Sequence, residues 1–394
     1  KIRGPKNTVV HLTVLPEGSN SKQIIDITRD EIKLTDQAAQ AYTREIEMDA
    51  KKARILVIYL PTFYSDFNAK SRKDENYTSS SRDVLKHLQE AQKEGNIDGL
   101  ILDLRGNGGG SLDEAVKLAG LFLEGGPVVQ VKYFRGKIEK MGNESQKAAY
   151  NGPITVLVDK FSASASEIVA ACLQDTGRAL IIGEKSTHGK GTVQTVYDLE
   201  RDPQIRLAAK VLGDQATGSI KFTIGKFYRV NGSSTQVKGV TPDLAFPAFS
   251  DHMDVGEARL TNVMPWDEIP EAKYNQLKNG DITEVNKEEL QAIADEFMQK
   301  EEAFQEYLQD LKFYEALRKE KKLPLEINAR KEFQKREKEA AAMYRKFHAE
   351  RKKSRRSWTR NKTEESETEK SSSEKSQDLV LEASLVIMGK LLSQ

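Results

Sequence analysis

The stretch GLILDLRGNGGG, residues 99–110, begins as a short run that is apolar on both faces and passes directly into a glycine-rich turn. Similar apolar runs occupy residues 55–60, 154–158 and 179–182. Helical patterns lie between these runs, at residues 81–94, 111–123 and 166–174. Apolar strands that alternate with helices are typical of an α/β core whose sheet is covered on both faces. The sequence therefore predicts an α/β fold for this part of the chain.

We assign residues 36–250 to this core. The composition of the chain before the core differs from that of the chain after it. Residues 1–35 hold two alternating apolar and polar runs around the turn-rich PEGSN, which predicts a hairpin. A hairpin is only marginally stable alone, so this one should belong to a larger sheet. Residues 251–352 are polar, rich in Glu and Lys and poor in glycine, and they predict a separate all-α domain.

Two further segments follow the predicted helical domain. Residues 353–377 lack periodicity and are rich in Ser, Lys and Glu, a composition that cannot bury enough apolar surface to offset chain entropy. We therefore expect a flexible linker there. Residues 378–394 are apolar again and predict a short helix. That helix either docks on the helical domain or serves as a partner-binding tail.

The overall composition excludes several classes of protein. Lys and Arg number 61 and Asp and Glu 60, so no field of one sign covers the molecule and nucleic acid is not expected as a partner. The sequence contains no run of about 18 apolar residues, so no membrane span is predicted. Cys172 is the single cysteine, which excludes an intramolecular disulfide. We expect it on a helix, with its side chain in the apolar core. No histidine or carboxylate cluster has metal-ligand spacing, so no cofactor is expected.

Three motifs follow strands and carry candidate chemistry. The glycine-rich turn at residues 106–110 would let backbone N–H groups approach a developing oxyanion, although a tight turn alone also needs such glycines. The stretch DKFSASASE, residues 159–167, places small residues and three serines at the start of a helix, where a hydroxyl can be a nucleophile or a cap. We expect Ser164 or Ser166 to cap that helix. The third motif, GKGTVQ at residues 189–194, sets a lysine between glycines.

The order of these motifs resembles the family of C-terminal processing proteases, most closely the long periplasmic branch of tail-specific proteases. Further matching stretches are QDTGRAL at residues 174–180, KFYRVNG at 226–232, GVTPD at 239–243 and PWDEI at 265–269. The resemblance runs from the N-terminal hairpin to about residue 320. One departure is the stretch EKSTHG, residues 184–189, which carries one residue more than the family's usual loop before the lysine.

The resemblance implies a role for each matching residue. It makes Ser164 the nucleophile, Lys190 the general base and Gln194 the residue that orients the lysine. The backbone N–H of Ala165, with that of Gly110 or Gly109, would form the oxyanion hole, and Asp175 would give structural support. A lysine can act as a base near neutral pH only if its pKa falls by about 3 units, which a largely dry pocket can supply.

The resemblance also implies a fold and a setting. The core should be a crotonase/ClpP-like protease core, preceded by the last strands of a truncated PDZ domain at residues 1–35 and followed by the all-α domain. Members of this branch act in the Gram-negative periplasm on protein substrates with apolar C-terminal tails, and some use a lipoprotein adaptor. These properties are expectations from the resemblance alone.

Alternatives remain open at this stage. His188, two residues from Lys190, is a competing base, but a Ser/His mechanism also needs an orienting carboxylate. A second candidate is an inactive peptide-binding scaffold that keeps the fold; the presence of Ser164, Lys190 and Gln194 counts against it. A third candidate, an acyl-CoA enzyme of the crotonase type, has no need of a Ser/Lys pair, so labelling of Ser164 by an acylating inhibitor would separate it from a protease.

Overall fold

The structure, a computed structural model, describes the chain apart from residues 1, 3, 17–18, 20, 31–37, 49–51, 67–68, 70–71, 73, 75–76, 144–146, 212–217, 275–285, 321, 361–377 and 394. Two units are present, residues 1–38 and residues 39–394. In the first unit, β1 (Val9–Val14) and β2 (Gln23–Thr28) pair antiparallel, which confirms the predicted hairpin. No helix among the described residues is both long enough and apolar enough to cross a bilayer.

The main unit is built on a six-stranded sheet. Its strands are β3 (Gln40–Glu47), β4 (Lys52–Tyr59), β5 (Gly99–Asp103), β8 (Ile154–Val158), β9 (Leu180–Gly183) and β12 (Leu244–Ala245). The order is β12-β9-β8-β5-β4-β3, with every neighbouring pair parallel except β4 and β3. The four apolar runs found in the sequence all lie in this sheet, so the predicted α/β core is confirmed.

Helices cover both faces of this sheet. Successive strand residues point to opposite faces, so Leu56 and Ile58 belong to one core while Ile55 and Val57 belong to the other. The first core is completed by α1 (Ser80–Glu94), α2 (Leu112–Gly120) and α3 (Ala165–Asp175). The opposite core is completed by the C-terminal helices. This two-sided burial explains why the central strands are apolar at nearly every position.

A second, antiparallel sheet lies beside the first and was only half predicted. Its order is β10-β11-β6-β7, where β10 is Thr192–Asp198, β11 is Ser219–Tyr228, β6 is Gly126–Tyr133 and β7 is Ile138–Asn143. The strand-rich stretch after residue 192 was expected, whereas β6 and β7 were not. A helix, α4 (Pro203–Val211), separates β10 from β11. The edge strand β10 begins two residues after Lys190.

The C-terminal region is helical as predicted, but its core is shared with the sheet. The helices are α5 (Lys287–Lys300), α6 (Glu302–Lys319) and α7 (Ile327–Arg360). Phe249, placed at the end of the protease core by sequence, makes edge contacts with the rings of Tyr307, Tyr314 and Tyr344. These aromatic rings pack with the second face of the sheet in one apolar cluster, so the C-terminal helices share their core with the sheet. The predicted domain boundary at residue 251 stays a prediction.

The segment expected to be a linker is helical at its start. Helix α7 continues to Arg360, so residues 353–360 belong to a helix, and residues 361–377 lie outside the described residues. The reason is that Arg355 and the buried Ser354 still face the main unit, where the Arg355 guanidinium lies 3.7 Å from the centroid of the Tyr59 ring. The final predicted helix is present as α8 (Leu379–Leu391), and it is docked against the sheet and α5.

Candidate active site

The glycine-rich turn after β5 lies directly against the serine-bearing turn after β8. Asn107 is fully buried between them: its side-chain oxygen accepts the Gly109 N–H at 2.9 Å, and its backbone oxygen accepts the Ala163 N–H at 3.0 Å. A Cβ atom built on Gly109 would lie 2.9 Å from the Ser164 Cβ. Only a glycine at this position, with φ of 99°, lets the two turns approach so closely.

The three serines of the 159–167 motif have different environments. The Ser162 hydroxyl donates to the Leu104 carbonyl at 2.9 Å, and the Ser166 hydroxyl donates to the Asn107 carbonyl at 2.8 Å; both side chains are fully buried. Ser164 is half-buried at the N-cap position of α3, and its hydroxyl makes no hydrogen bond with any described residue. Two of the hydroxyls therefore hold the turn together, and Ser164 carries the available one.

The backbone at Ser164 is held in an unfavourable conformation. Its φ is 58° and its ψ is −109°, a region that residues with a Cβ rarely adopt. Such strain persists only where the surroundings enforce it, and it concentrates at functional sites. Here the enforcing contacts come from Asn107 on one side and Glu167 on the other. The sharp turn presents the Ser164 side chain at the start of a helix, next to the first free N–H groups of α3.

Glu167 is a buried residue to which sequence reasoning gave no role. Its Oε2 accepts the backbone N–H groups of Ser164 at 2.7 Å and of Lys190 at 3.0 Å. Its Oε1 accepts from the Thr187 hydroxyl at 2.6 Å and the Gly189 N–H at 2.7 Å. Burial raises its pKa to about 7, against the lowering effect of these hydrogen bonds. The signal was present in the sequence, since Ser-x-x-Glu before a helix is a capping-box pattern.

Lys190 is brought to the serine turn through this carboxylate. Its backbone N–H and that of Ser164 share one acceptor atom, so they are separated by no more than two hydrogen-bond lengths. Its side chain is half-buried, and its ammonium group has no hydrogen-bond partner among the described residues. Burial lowers the pKa of Lys190, and the nearby Lys221 lowers it further, while Glu257 and Glu167 oppose the shift. The direction is the one that a general base requires.

Gln194, predicted to orient Lys190, lies on β10 with its side chain exposed. It pairs with Thr223 just after an irregularity in the β10–β11 register, and its amide has no hydrogen-bond partner in the part of the chain that is described. The buried Gln236 instead fixes the lysine loop, because its side-chain oxygen accepts the Gly191 N–H at 2.7 Å and its amide nitrogen donates to Glu257 at 3.0 Å. No sequence signal marked Gln236.

The predicted oxyanion donors differ in availability. The Gly109 N–H is already donated to Asn107, whereas the N–H groups of Gly110 and Ala165 have no acceptor among the described residues. Ala165 is the first residue of α3, so its N–H has no intrahelical acceptor. Of the two glycines left open by sequence, Gly110 is thus the free donor, and Gly109 provides the close approach of the turns.

His188 lies beside the same loop. Its Nδ1 is 3.9 Å from Glu257 Oε2, too far for a hydrogen bond, and the ring is half-buried. Burial lowers its pKa; Glu257 opposes this shift, while Lys160 and Lys190 add to it. The structure thus gives His188 a neighbouring carboxylate that the sequence did not reveal, but without the hydrogen bond that would orient its ring.

Asp175 and Cys172, two other residues named in the sequence analysis, lie in contacts that support the fold. Asp175, at the end of α3, accepts from Arg229 at 2.6 and 3.0 Å and from Asn231 at 2.9 Å, which ties this helix to the segment after β11. Cys172 is fully buried in the core on the same helix, and burial raises the pKa of its thiol. A neutral, enclosed thiol is inert, as expected for a core residue.

Comparison with known proteins gives this arrangement a family. The model of peptidase family S41 matches residues 54–246, and a model described as the C-terminal domain of tail specific protease matches residues 250–392. The chain belongs to peptidase family S41, with the C-terminal domain of the tail-specific branch. The resemblance inferred from the motifs is therefore confirmed, and it extends beyond residue 320, where sequence reasoning had ended.

Curated relatives of the chain are named tail-specific or carboxyl-terminal-processing proteases. The chain is 38% identical over 285 residues to the tail-specific protease of Haemophilus influenzae, covering 71% of this chain and 36% of that protein. It is 36% identical over 199 residues to the carboxyl-terminal-processing protease of Synechocystis sp., covering 50% and 42%. The chain thus spans less than half of the length of these relatives. Among solved structures, the photosystem II D1 C-terminal processing protease shares 25% identity with a TM-score of 0.41, covering 62% of this chain and 56% of that one.

Proposed function

We propose that the chain is a serine endopeptidase in which Ser164 is the nucleophile and Lys190 the general base. The observation that carries the proposal is the environment of Ser164: a strained turn presents the one unengaged hydroxyl of the motif, beside a half-buried lysine that Glu167 ties to the same turn. An inactive scaffold would not need a strained backbone at Ser164. Membership of peptidase family S41 and the names of the relatives support the same reaction.

The geometry suggests how each step would proceed. The neutral amine of Lys190 takes the Ser164 proton as the hydroxyl oxygen attacks the scissile carbonyl. The N–H groups of Gly110 and Ala165 would receive the oxyanion of the tetrahedral intermediate. The lysine then gives its proton to the departing amine, leaving an acyl-enzyme on Ser164. Water, deprotonated by the same lysine, releases the product acid and restores the serine.

The choice of substrate is a further part of the proposal. Relatives named for tail-specific or carboxyl-terminal processing support protein substrates selected at the C-terminus. That the selected tail is apolar is our proposal, supported by the resemblance to the tail-specific branch. We assign the β1–β2 hairpin to the last strands of a PDZ domain that would bind such a tail, and the main unit to a crotonase/ClpP-like core. A Gram-negative periplasmic location and a lipoprotein adaptor complete this proposal, supported by the resemblance to the tail-specific branch. The role of Gln194 in orienting Lys190 also stays a prediction.

The test uses a fluorophosphonate, which phosphonylates activated serines, and a protein substrate with an apolar C-terminal tail. Wild-type protein should cleave the substrate and form one adduct, located at Ser164 by peptide mass spectrometry. Ser164→Ala should lose both cleavage and labelling, whereas Ser162→Ala, as the matched control, should keep both. Labelling at Ser162, or cleavage that survives Ser164→Ala, would contradict the proposal. Cleavage independent of the C-terminal tail would refute the substrate choice alone.

A further inference from the structure

A buried charge cluster joins the last helix of the chain to the glycine-rich turn. The Arg105 guanidinium donates to Asp378 through two hydrogen bonds of 2.7 Å and to Asp103 at 2.6 and 2.8 Å. All three residues are no more than 3% exposed. Burial alone would raise the pKa of Asp103, but the Arg105 guanidinium outweighs it and holds that pKa at about 2. Arg105 is therefore a fixed cation bonded on two sides.

Asp378 is held in place by the helix that follows it. It is the N-cap of α8, where its Oδ1 also accepts the Leu381 N–H at 3.2 Å. Helix α8 is anchored along its length by apolar residues in the second core, among them Leu385, Ile387 and Met388. A side chain at a helix start whose body is buried in this way has little freedom, so Asp378 is a rigid partner for Arg105.

Arg105 in turn lies at the base of the turn that provides the proposed oxyanion donor. Its immediate successors are hydrogen-bonded: the Gly106 N–H donates to Asp159 at 2.8 Å, and Asn107 makes the bonds that join the two active-site turns. A second contact comes from α7, whose Arg351 donates to Asp159 at 3.2 Å. Both turns of the site are thus bonded from behind to C-terminal helices.

We propose that Asp378 is a positioning residue for catalysis: through Arg105 it sets the path of the 106–110 turn and so the place of the Gly110 N–H relative to Ser164. This inference rests on the proposed peptidase function. Arg105 lies in the part matched by the peptidase model and Asp378 in the part matched by the C-terminal model. The C-terminal region then contributes to the chemical step as well as to the stability of the sheet.

The chain supplies a matched control for the docking of α8. Glu382, one turn further along the helix, makes an equivalent double hydrogen bond with Arg44 on β3, at 2.9 and 3.0 Å. That pair fastens α8 to β3 of the sheet rather than to the glycine-rich turn. Asp378→Asn removes the charge but keeps a good N-cap, since Asn and Asp cap helices about equally well. Asp378→Ser also keeps a capping group and is too short to reach Arg105.

The experiment compares wild type, Asp378→Asn, Asp378→Ser and Glu382→Gln as full chains, with the apolar-tailed substrate. We expect both Asp378 variants to lose roughly tenfold to hundredfold in kcat with KM changed about twofold or less, because misplacing an oxyanion donor affects the transition state more than substrate binding. Glu382→Gln should keep kcat within about twofold of wild type. Hydrogen exchange should speed up in peptides covering residues 105–110 of the Asp378 variants alone.

The outcomes separate this inference from the proposed function. If wild type neither cleaves nor is labelled at Ser164, the peptidase proposal fails, and hydrogen exchange of the 105–110 turn still decides whether Asp378 positions it. Equal losses in the Asp378 and Glu382 variants would reduce Asp378 to a docking contact and overturn the inference. If the Asp378 variants keep the kcat and the hydrogen exchange of wild type, the inference is also overturned. If Asp378→Asn does not fold, Asp378→Ser, compared with Glu382→Gln, gives the answer.

Discussion

The backbone N–H groups of Ser164 and Lys190 donate to the same atom, Oε2 of Glu167. These two residues are far enough apart in sequence to come from different strand ends, and this carboxylate brings their chain segments together. Its other oxygen holds Thr187 and Gly189, the residues that lead into the lysine. Glu167 is thus the junction on which the relative position of the proposed nucleophile and base depends.

Replacing this carboxylate should reduce activity with little loss of global structure. In Glu167→Gln, one of the two acceptor oxygens becomes an NH2 donor that faces N–H groups, so at least two of the four hydrogen bonds are lost. We expect a fall of about a hundredfold in kcat/KM, because the backbone of Lys190 would no longer be bonded firmly to the side chain that also holds the Ser164 turn. Steady-state kinetics on the apolar-tailed substrate measures this change in kcat/KM. A value within twofold of wild type would exclude the role of Glu167 as the junction.

The raised pKa of Glu167 predicts a pH-dependent stability. A group ordinarily near 4.5 that titrates at about 7 when folded contributes stability below 4.5, and that contribution is lost as the pH rises to about 7. The unfolding free energy of wild type, relative to Glu167→Gln, should therefore fall by roughly 3 kcal/mol between pH 4 and pH 8. Urea unfolding at several pH values measures the difference, and a difference that stays constant would show that the folded carboxyl has an ordinary pKa.

The three serines should respond differently to removal of their hydroxyls. Ser162→Ala leaves the buried Asp159 N–H without its acceptor and removes one of the two hydrogen bonds to the Leu104 carbonyl, so we expect a stability loss of about 1–3 kcal/mol with activity retained. Ser164→Ala breaks no hydrogen bond within the described part of the chain and should keep its stability while losing cleavage. Thermal unfolding and cleavage assays on both variants test this. The opposite pattern would mean that the two serines exchange roles.

Lys190→Arg should be as inactive as Lys190→Ala. A guanidinium remains protonated at any pH the protein tolerates, so it preserves the positive charge but cannot accept the Ser164 proton. Cleavage rates for the two variants, with folding checked by circular dichroism, make the comparison. Retained activity in the arginine variant would show that the site uses a cation rather than a neutral amine.

Much of this architecture was accessible from the sequence because its signals are local. The apolar strands of the central sheet, the hairpin and the helices α1 to α3 follow from periodicity and burial on both faces. The candidates Ser164, Lys190 and Gly109 or Gly110 follow from the resemblance that the order of the motifs carries, and their roles stay predictions. The strands β6 and β7 were missed: in β7 the charged Glu139 and Lys140 are adjacent and both exposed, which interrupts the apolar alternation that marks a strand.

The remaining features depend on contacts between distant segments. The partners of Glu167 come from residues 164 and 187–190, and those of Arg105 include Asp378, 273 positions away. No local pattern encodes such a pair. The shared core of the C-terminal helices was missed for the same reason, since the amphipathic pattern of α6 shows that it packs but does not show against what.

The most direct test of the central claim is the pH dependence of kcat/KM in His188→Ala, measured beside wild type and Lys190→Ala. Because burial lowers the pKa of Lys190 below its usual 10.5, kcat/KM should rise with pH along a limb below that value as the neutral amine forms. We predict that this limb and most of the rate survive in His188→Ala, while Lys190→Ala is inactive at every pH. If instead the limb disappears and the rate falls by orders of magnitude in His188→Ala, the imidazole is the base and the Ser164–Lys190 assignment is wrong.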